Sequence, residues 1–382
     1  MNETKKFQTG NIFLISLMHF VHDVYSSFLA PILPLLMEKL SMSYTLAGSL
    51  TVVQRLPSLL NPLIGLMADR VSVKYLVIFS PAVTVIVMSL LGIAPSYFYL
   101  LVILFVMGIS ASTFHVPAPV MVKQIAGNRI GKGMSFFMLG GELARSVGPL
   151  VVLAGVSIWG LEGIYKLIPI GLTASIILYF KFRNLEIVSS SNKFETKKIY
   201  SIFKDHISLF IIIMGILFFT SLVKGTISTF LTVYLTESGN TLWFAGGALS
   251  IFQLAGAGGT FFSGTISDKI GRRKTLIIAA LLNPILLFLF IISSGILSFA
   301  ILLLLGFFLF AFTPVLLALI NETNSELPTF INGIFMTINF LTSAITISLI
   351  GISADYLSLH TTYFISALLG FGSIPFVLKI KS

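Results

Sequence analysis

Apolar residues run along this chain in twelve long blocks, each near the roughly twenty residues a helix needs to cross about 30 Å of hydrocarbon. In the first half the blocks fall near 11–37, 45–67, 75–93, 97–122, 134–157 and 162–182. In the second half they fall near 206–235, 241–263, 274–293, 296–320, 329–353 and 359–379. Short polar or Gly/Pro-bearing turns separate them. The only sizeable polar segment, Lys181 to Asp205, holds Ser189, Ser190, Ser191 and Asn192 beside Lys193, Lys197, Lys198 and Lys204, and is too short for a domain. The pattern predicts an all-α integral membrane protein with twelve transmembrane helices in two pseudo-symmetric six-helix halves. The halves are residues 1–182 and 206–382, joined by a cytoplasmic linker at 183–205.

Between the second and third blocks the chain reads G-L-M-A-D-R-V-S-V-K from Gly65 to Lys74, and 199 residues later G-T-I-S-D-K-I-G-R-R from Gly264 to Arg273. At that offset Gln54 matches Gln253, Gly65 matches Gly264, Asp69 matches Asp268, Arg70 matches Lys269 and Lys74 matches Arg273. Two parallel six-helix halves with a binding site near the midplane between them follow the logic of an alternating-access carrier. The two glycines are expected to permit close helix approach, and the aspartates to accept hydrogen bonds near the next helix start. The basic residues are expected to pair with acids or helix C-termini. Gating rather than substrate binding is the role that fits this motif.

Composition sharpens the class. Of 382 residues 56% are hydrophobic and only 10% charged, far from a soluble protein's roughly 25%. The net charge of +10 would suit nucleic acid, but its placement points elsewhere. With a cytoplasmic N-terminus, nineteen Lys and Arg fall in cytoplasmic segments and only Lys39 and Lys166 on the other side. That is the positive-inside pattern, so both termini are expected in the cytoplasm of a bacterial-type inner membrane. Lys5 and Lys6 before an apolar stretch superficially resemble a secretory signal. The stretch contains His19, His22 and Asp23 and lacks a small-x-small cleavage site, so it is read as a retained first span. Cysteine is absent, and five scattered His give no cluster with metal spacing, so no metal and no cofactor are expected. The chain carries no phosphate-binding loop, H-E-x-x-H or G-x-S-x-G, which points away from an ATPase or hydrolase and toward a gradient-driven process.

At the repeated G-x-x-x-D-[RK]-x-x-x-[RK] the chain resembles the major facilitator superfamily, over its whole length. A narrower resemblance is to the fosmidomycin-resistance subfamily of drug exporters. It rests on His19 to Asp23 with Pro31 and Pro34, Phe114-His115 with Pro117, Gly140-Gly141 with Gly148-Pro149, and Gly351 to Asp355, which reads G-I-S-A-D. The resemblance implies proton-coupled efflux of small drugs or metabolites. Arg55, Glu142 and Arg145 stand where that subfamily usually carries uncharged residues, and Val116 stands where a Pro usually follows the His. Gly148-Pro149 also looks like part of an antiporter signature, with Val151 and Val152 replacing its next glycines; a kink or packing site is the plainer reading.

Three cations, Arg55, Arg145 and Lys224, and two acids, Asp23 and Glu142, fall inside predicted spans. Each costs about 2.5–3.5 kcal/mol at a helix centre on insertion scales, so each should face a partner or a wet cavity. Asp23 has His19 one turn earlier on the same face, and a carboxylate beside imidazoles can exchange a proton. Asp23 is therefore the first candidate for the coupling proton, the alternative being a static pair with Arg55. His22 projects about 100° away round the helix and is expected to miss Asp23's face. Glu142 and Arg145, at i, i+3, should pair, and with His115 they are expected to form one polar layer. Lys224 either attracts an anionic group or snorkels outward. Gln54 and Gln253 either contact substrate or bond between helices. The proton-coupling candidates are thus Asp23, His19, Glu142 and His115, and the substrate-binding candidates are Arg55, Arg145, Lys224, His115, Gln54 and Gln253.

The expected function is a non-enzymatic, monomeric secondary transporter in the bilayer. It would export a small anionic or zwitterionic organic compound against protons, without nucleic acid. Uptake or flipping of an amphiphile such as a lysolipid, and a sensor that binds without translocating, are the alternatives.

Overall fold

A computed structural model describes residues 7–61, 63–64, 74–183, 196–323 and 328–380, with the backbone alone at 196–203 and 328–330. Every element among them is helical. The helices are α1 (Thr9–Ser26), α2 (Leu29–Leu40), α3 (Tyr44–Arg55), α4 (Lys74–Ser89), α5 (Tyr97–His115), α6 (Ala118–Ile125), α7 (Ile130–Trp159) and α8 (Ile168–Phe182). They continue as α9 (Thr196–Glu237), α10 (Leu242–Ile270), α11 (Arg272–Ile292), α12 (Ile296–Asn321), α13 (Pro328–Leu357), α14 (Leu359–Gly370) and α15 (Ser373–Leu378). Ten spans among the described residues are long and apolar enough to cross a membrane. The other two expected spans fall on α3, which tightens into a 3-10 turn at Leu56–Leu60, and on α10, whose apolar run is diluted by Gln253 and several glycines.

Proline explains why several spans are made of two helices. The ring of Pro31 would collide with the carbonyl four residues back and offers it no N–H, so α1 stops at Ser26 and α2 begins at Leu29. Pro117 likewise ends α5, leaving His115 as its last residue beside a break in the helix. Pro149, by contrast, lies within an unbroken α7.

The chain divides into two compact units, residues 1–41 with 53–192, and residues 42–52 with 193–382. In the first unit α1 runs against α7 through small residues. A Cβ on Gly148 would meet the carbonyl of Val24 at 2.6 Å, one on Gly140 would strike the backbone of Ser16, and one on Gly141 would strike the His19 ring. Such stripes let membrane helices approach closely. The apolar core of this unit includes Ile15, Met18, Phe114, Met121 and Phe137. The second unit has its own core around Ile213, Ile216, Phe312, Val315 and Phe335. Its buried hydroxyls, such as Thr220, Thr226, Thr342 and Thr346, donate to carbonyls one turn back in their own helices, which satisfies them without water. Phe98, Ile158, Phe261 and Leu368 stay exposed, as suits helices whose solvent is hydrocarbon.

In the second unit the carboxylate of Asp355 accepts from the backbone N–H groups of Tyr44 at 2.7 Å and Thr45 at 2.9 Å, capping the start of α3. The Tyr44 hydroxyl donates to Glu237 at 2.6 Å.

Candidate functional site

Asp23 sits in α1 and is buried. Three imidazoles close on its carboxylate: His22 Nδ1 lies 2.9 Å from Oδ1, His115 Nε2 3.2 Å from Oδ1, and His19 Nε2 3.4 Å from Oδ2. His19 and His22 are buried, whereas the His115 side chain is 40% exposed and forms the open side of the cluster. Aromatic neighbours fix the rings. His19 stacks on Phe137 with centroids 4.1 Å apart, and His22 stacks on Phe114 at 4.6 Å.

The far side of each buried ring is also held. His19 Nδ1 lies 2.7 Å from the Phe137 carbonyl, and His22 Nε2 lies 3.1 Å from the Thr84 hydroxyl. Thr84 Oγ1 is 2.8 Å from Ser110 Oγ, which donates to the Ser80 carbonyl at 2.5 Å. Helices α1, α4, α5 and α7 thus each supply part of one polar cluster.

Two expectations change here. His22 does reach Asp23, because the two side chains bend toward each other from neighbouring positions, and a 100° separation of backbone directions does not forbid that. Folding also gathers histidines that looked scattered: His19, Asp23 and His115 each offer one ligand atom, all within 4.8 Å of one another. Two nitrogens and one oxygen so placed have the spacing to hold a small cation. The same spacing suits the sharing of a proton between imidazole and carboxylate.

His115 and Glu142 have different partners. His115 turns to Asp23, and Glu142 forms its ion pair with Arg145 along α7. The Nε of Arg145 is buried without a hydrogen-bond partner among the described residues. Arg55, at the end of α3, lies close enough to Arg145 for their like charges to act on each other. Asp23 is held by imidazoles from α1 and α5. Gln54 donates to the Ser26 carbonyl at 3.2 Å and lies 3.3 Å from Met107 Sδ, a bond between helices. In the second unit Gln253 is half-buried, and Lys224 places its ammonium 4.1 Å from the centre of the Phe310 ring.

A family model described as Major Facilitator Superfamily matches residues 15–347, and again 244–381. The chain belongs to the Major Facilitator Superfamily. It is therefore a multi-pass membrane transporter rather than an enzyme. It is 27% identical to the fosmidomycin resistance protein of Escherichia coli K12, covering 94% of this chain and 90% of that one. It is 24% identical to multidrug resistance protein MdtG of Salmonella arizonae, covering 68% and 67%. Among solved structures it resembles a mutant form of the nucleoside transporter NupG in fold, with a TM-score of 0.78, 15% identity and coverage of 97% and 100%.

The superfamily's repeated motif is only partly in view. Gly65, Asp69 and Arg70 lie outside the described residues. Lys74 donates to the Arg183 carbonyl at the end of α8 at 2.6 Å, a helix C-terminus as expected. In the second copy, a Cβ on Gly264 would meet nothing within 4 Å among the described residues. Asp268 pairs with Arg272 at 2.5 Å, and Arg272 reaches Glu322 at 3.0 Å and the Gly264 carbonyl at 3.3 Å. Arg272, which the motif spacing passes over in favour of Lys269 and Arg273, therefore ties Gly264, Asp268 and Glu322 together. Its position at the first turn of α11 was the available signal.

Proposed function

We propose that this transporter is a proton-coupled exporter of a small anionic or zwitterionic organic compound. Asp23 with His19, His22 and His115 handles the proton, and Arg145 with Arg55 attracts the anionic group. The observation that carries this reading is a single buried carboxylate ringed by three imidazoles, one of them open to the surroundings. Imidazole changes charge near neutral pH, so such a cluster can load and release protons under ordinary gradients. Arg145 suits the second role because Glu142 already shares its guanidinium, while its Nε lacks a hydrogen-bond partner among the described residues. An anion arriving at Arg145 competes with Glu142 for that charge. Lys224 is a further candidate within the second unit. Export, rather than uptake, is favoured by the names of the E. coli and Salmonella relatives, which are resistance proteins. The lysine and arginine asymmetry favours an inner-membrane location with both termini in the cytoplasm.

The test is Asp23→Asn in inside-out vesicles, with proton movement followed on adding fosmidomycin, a phosphonate, or a cationic drug as contrast. The wild-type protein is expected to move protons with the phosphonate and not with the cation. Asp23→Asn is expected to keep its melting temperature while losing proton movement. Undiminished proton-coupled transport by this variant would remove Asp23 from the role.

A further inference from the structure

We infer that His19, Asp23 and His115 form a binding site for a divalent transition-metal ion of the zinc class, held by two imidazole nitrogens and one carboxylate. The inference goes beyond the proposed transport role and does not depend on it. No metal spacing shows along the sequence, because His115 comes from α5 and the other two residues from α1.

The three residues offer one ligand atom each, all within 4.8 Å of one another. Zinc holds nitrogen and oxygen ligands at about 2.0–2.2 Å in a tetrahedron, whose edges are then about 3.4 Å. His19 Nε2 lies 3.4 Å from Asp23 Oδ2, and His115 Nε2 lies 3.2 Å from Asp23 Oδ1. The first separation is longer than the roughly 2.7–2.9 Å of a charge-assisted hydrogen bond. It is the distance between two atoms that share an ion. Closing the widest separation to a tetrahedral edge takes at most about 1.4 Å. His115 is the ligand able to make that move, since it is the last residue of α5, beside the break at Pro117, and its side chain is 40% exposed.

The outer contacts are also those of metal ligands. His19 Nδ1 is 2.7 Å from the Phe137 carbonyl, which only accepts, so Nδ1 carries hydrogen and a neutral ring keeps its lone pair on Nε2. Ligating histidines are held in this way, by a hydrogen bond from the other ring nitrogen to a carbonyl or carboxylate. Stacking on Phe137 fixes the plane of the ring. His22 Nδ1, 2.9 Å from Asp23 Oδ1, holds the carboxylate from outside the set. Phe137 and His22 are thus positioning residues. The donors choose the ion: imidazole suits zinc, copper, iron and nickel, whereas magnesium and calcium take oxygen ligands. Three protein ligands leave a fourth position for water or an anion.

The experiment titrates Co2+, a coloured substitute for zinc, into full-length, tag-free protein in detergent without any substrate. One Co2+ per chain is expected, with the intense visible absorption of a four-coordinate ion, displaced by Zn2+ and not by Mg2+ or Ca2+. His115→Ala and Asp23→Asn are each expected to weaken binding by more than about 100-fold, beyond the range of an outer-shell change, with metal-free melting temperatures near that of the wild type. His206→Gln and His360→Gln, histidines outside the set, are expected to leave it unchanged. Absence of stoichiometric binding, binding that survives His115→Ala, or binding lost in His206→Gln or His360→Gln overturns the inference. Because the readout involves no proton movement, it separates from the vesicle test. An uncoupled Asp23→Asn in a protein that binds no metal would refute this inference and leave the proposed function standing. Metal binding in a protein whose Asp23→Asn variant still couples would do the reverse.

Discussion

Adding one methyl group at Gly141 should disable the cluster without removing any of its polar atoms. The Cβ of Gly141→Ala would lie 2.5 Å from Cε1 and Nε2 of His19 and 3.1 Å from Nδ1. Ordinary contact needs about 3.5 Å, so the ring must retreat by about 1 Å. It cannot do so freely, since the ring is stacked on Phe137 and its Nδ1 is 2.7 Å from the Phe137 carbonyl. A retreat of that size along the bond stretches it to about 3.7 Å, beyond hydrogen-bonding range. Overpacking of this kind costs about 1–3 kcal/mol, to which a lost hydrogen bond adds about 1 kcal/mol. Gly131→Ala, on the same helix with nothing within 4 Å of its Cβ among the described residues, is the control and should be neutral or slightly stabilising. The assay is thermal unfolding in detergent together with proton movement in vesicles. A Gly141→Ala protein that melts and couples like the Gly131→Ala control would refute the packing argument and with it the placement of His19.

Other expectations concern the motif and the α3 cap. Asp355→Ala leaves the Tyr44 and Thr45 N–H groups without their acceptor and should cost about 0.5–2 kcal/mol in unfolding measurements, with Asp355→Asn recovering part of it; an unchanged stability for Ala would show that water replaces the carboxylate at no cost. Arg272→Gln severs the links to Asp268 and Glu322, whose side chains are 62% and 53% exposed, so stability should fall by no more than about 1 kcal/mol. A larger effect from Lys269→Gln than from Arg272→Gln would reverse the assignment of the central cation.

The apolar blocks were legible because a membrane imposes length and composition on each crossing, and their positions coincide with the described helices to within a few residues at most ends. The pairing of His19 with Asp23 was legible for a related reason, since i, i+4 residues on a helix must be neighbours. His115 belongs to a different helix, and nothing in a one-dimensional pattern says which helices touch. The hydroxyls of Thr84 and Ser110 were invisible for the opposite reason. Membrane helices are full of Ser and Thr that bond only to their own backbone, as Thr220 and Thr342 do, and the few that bond between helices look no different in sequence. His22 was misplaced because backbone direction was allowed to stand for side-chain reach.

The internal duplication makes the cluster's confinement to one half informative. At the constant offset of 199 residues, the positions of His19, His22, Asp23 and His115 are taken by Phe218, Ser221, Leu222 and Pro314. The position of Thr84 is taken by Asn283, and that of Ser110 by Leu309. Asn283 is 2% exposed, and neither of its amide atoms has a hydrogen-bond partner among the described residues. The second copy thus keeps a polar side chain where Thr84 stands but lacks the imidazole and hydroxyl that satisfy it in the first. A buried carboxylate or imidazole is tolerable only when its neighbours complete its hydrogen bonds, and those neighbours come from four different helices. Dividing the four titratable groups between the halves would leave each set incomplete and each charge without partners. Gathering them in one half lets them satisfy one another, so the fold can remain duplicated while the proton chemistry does not.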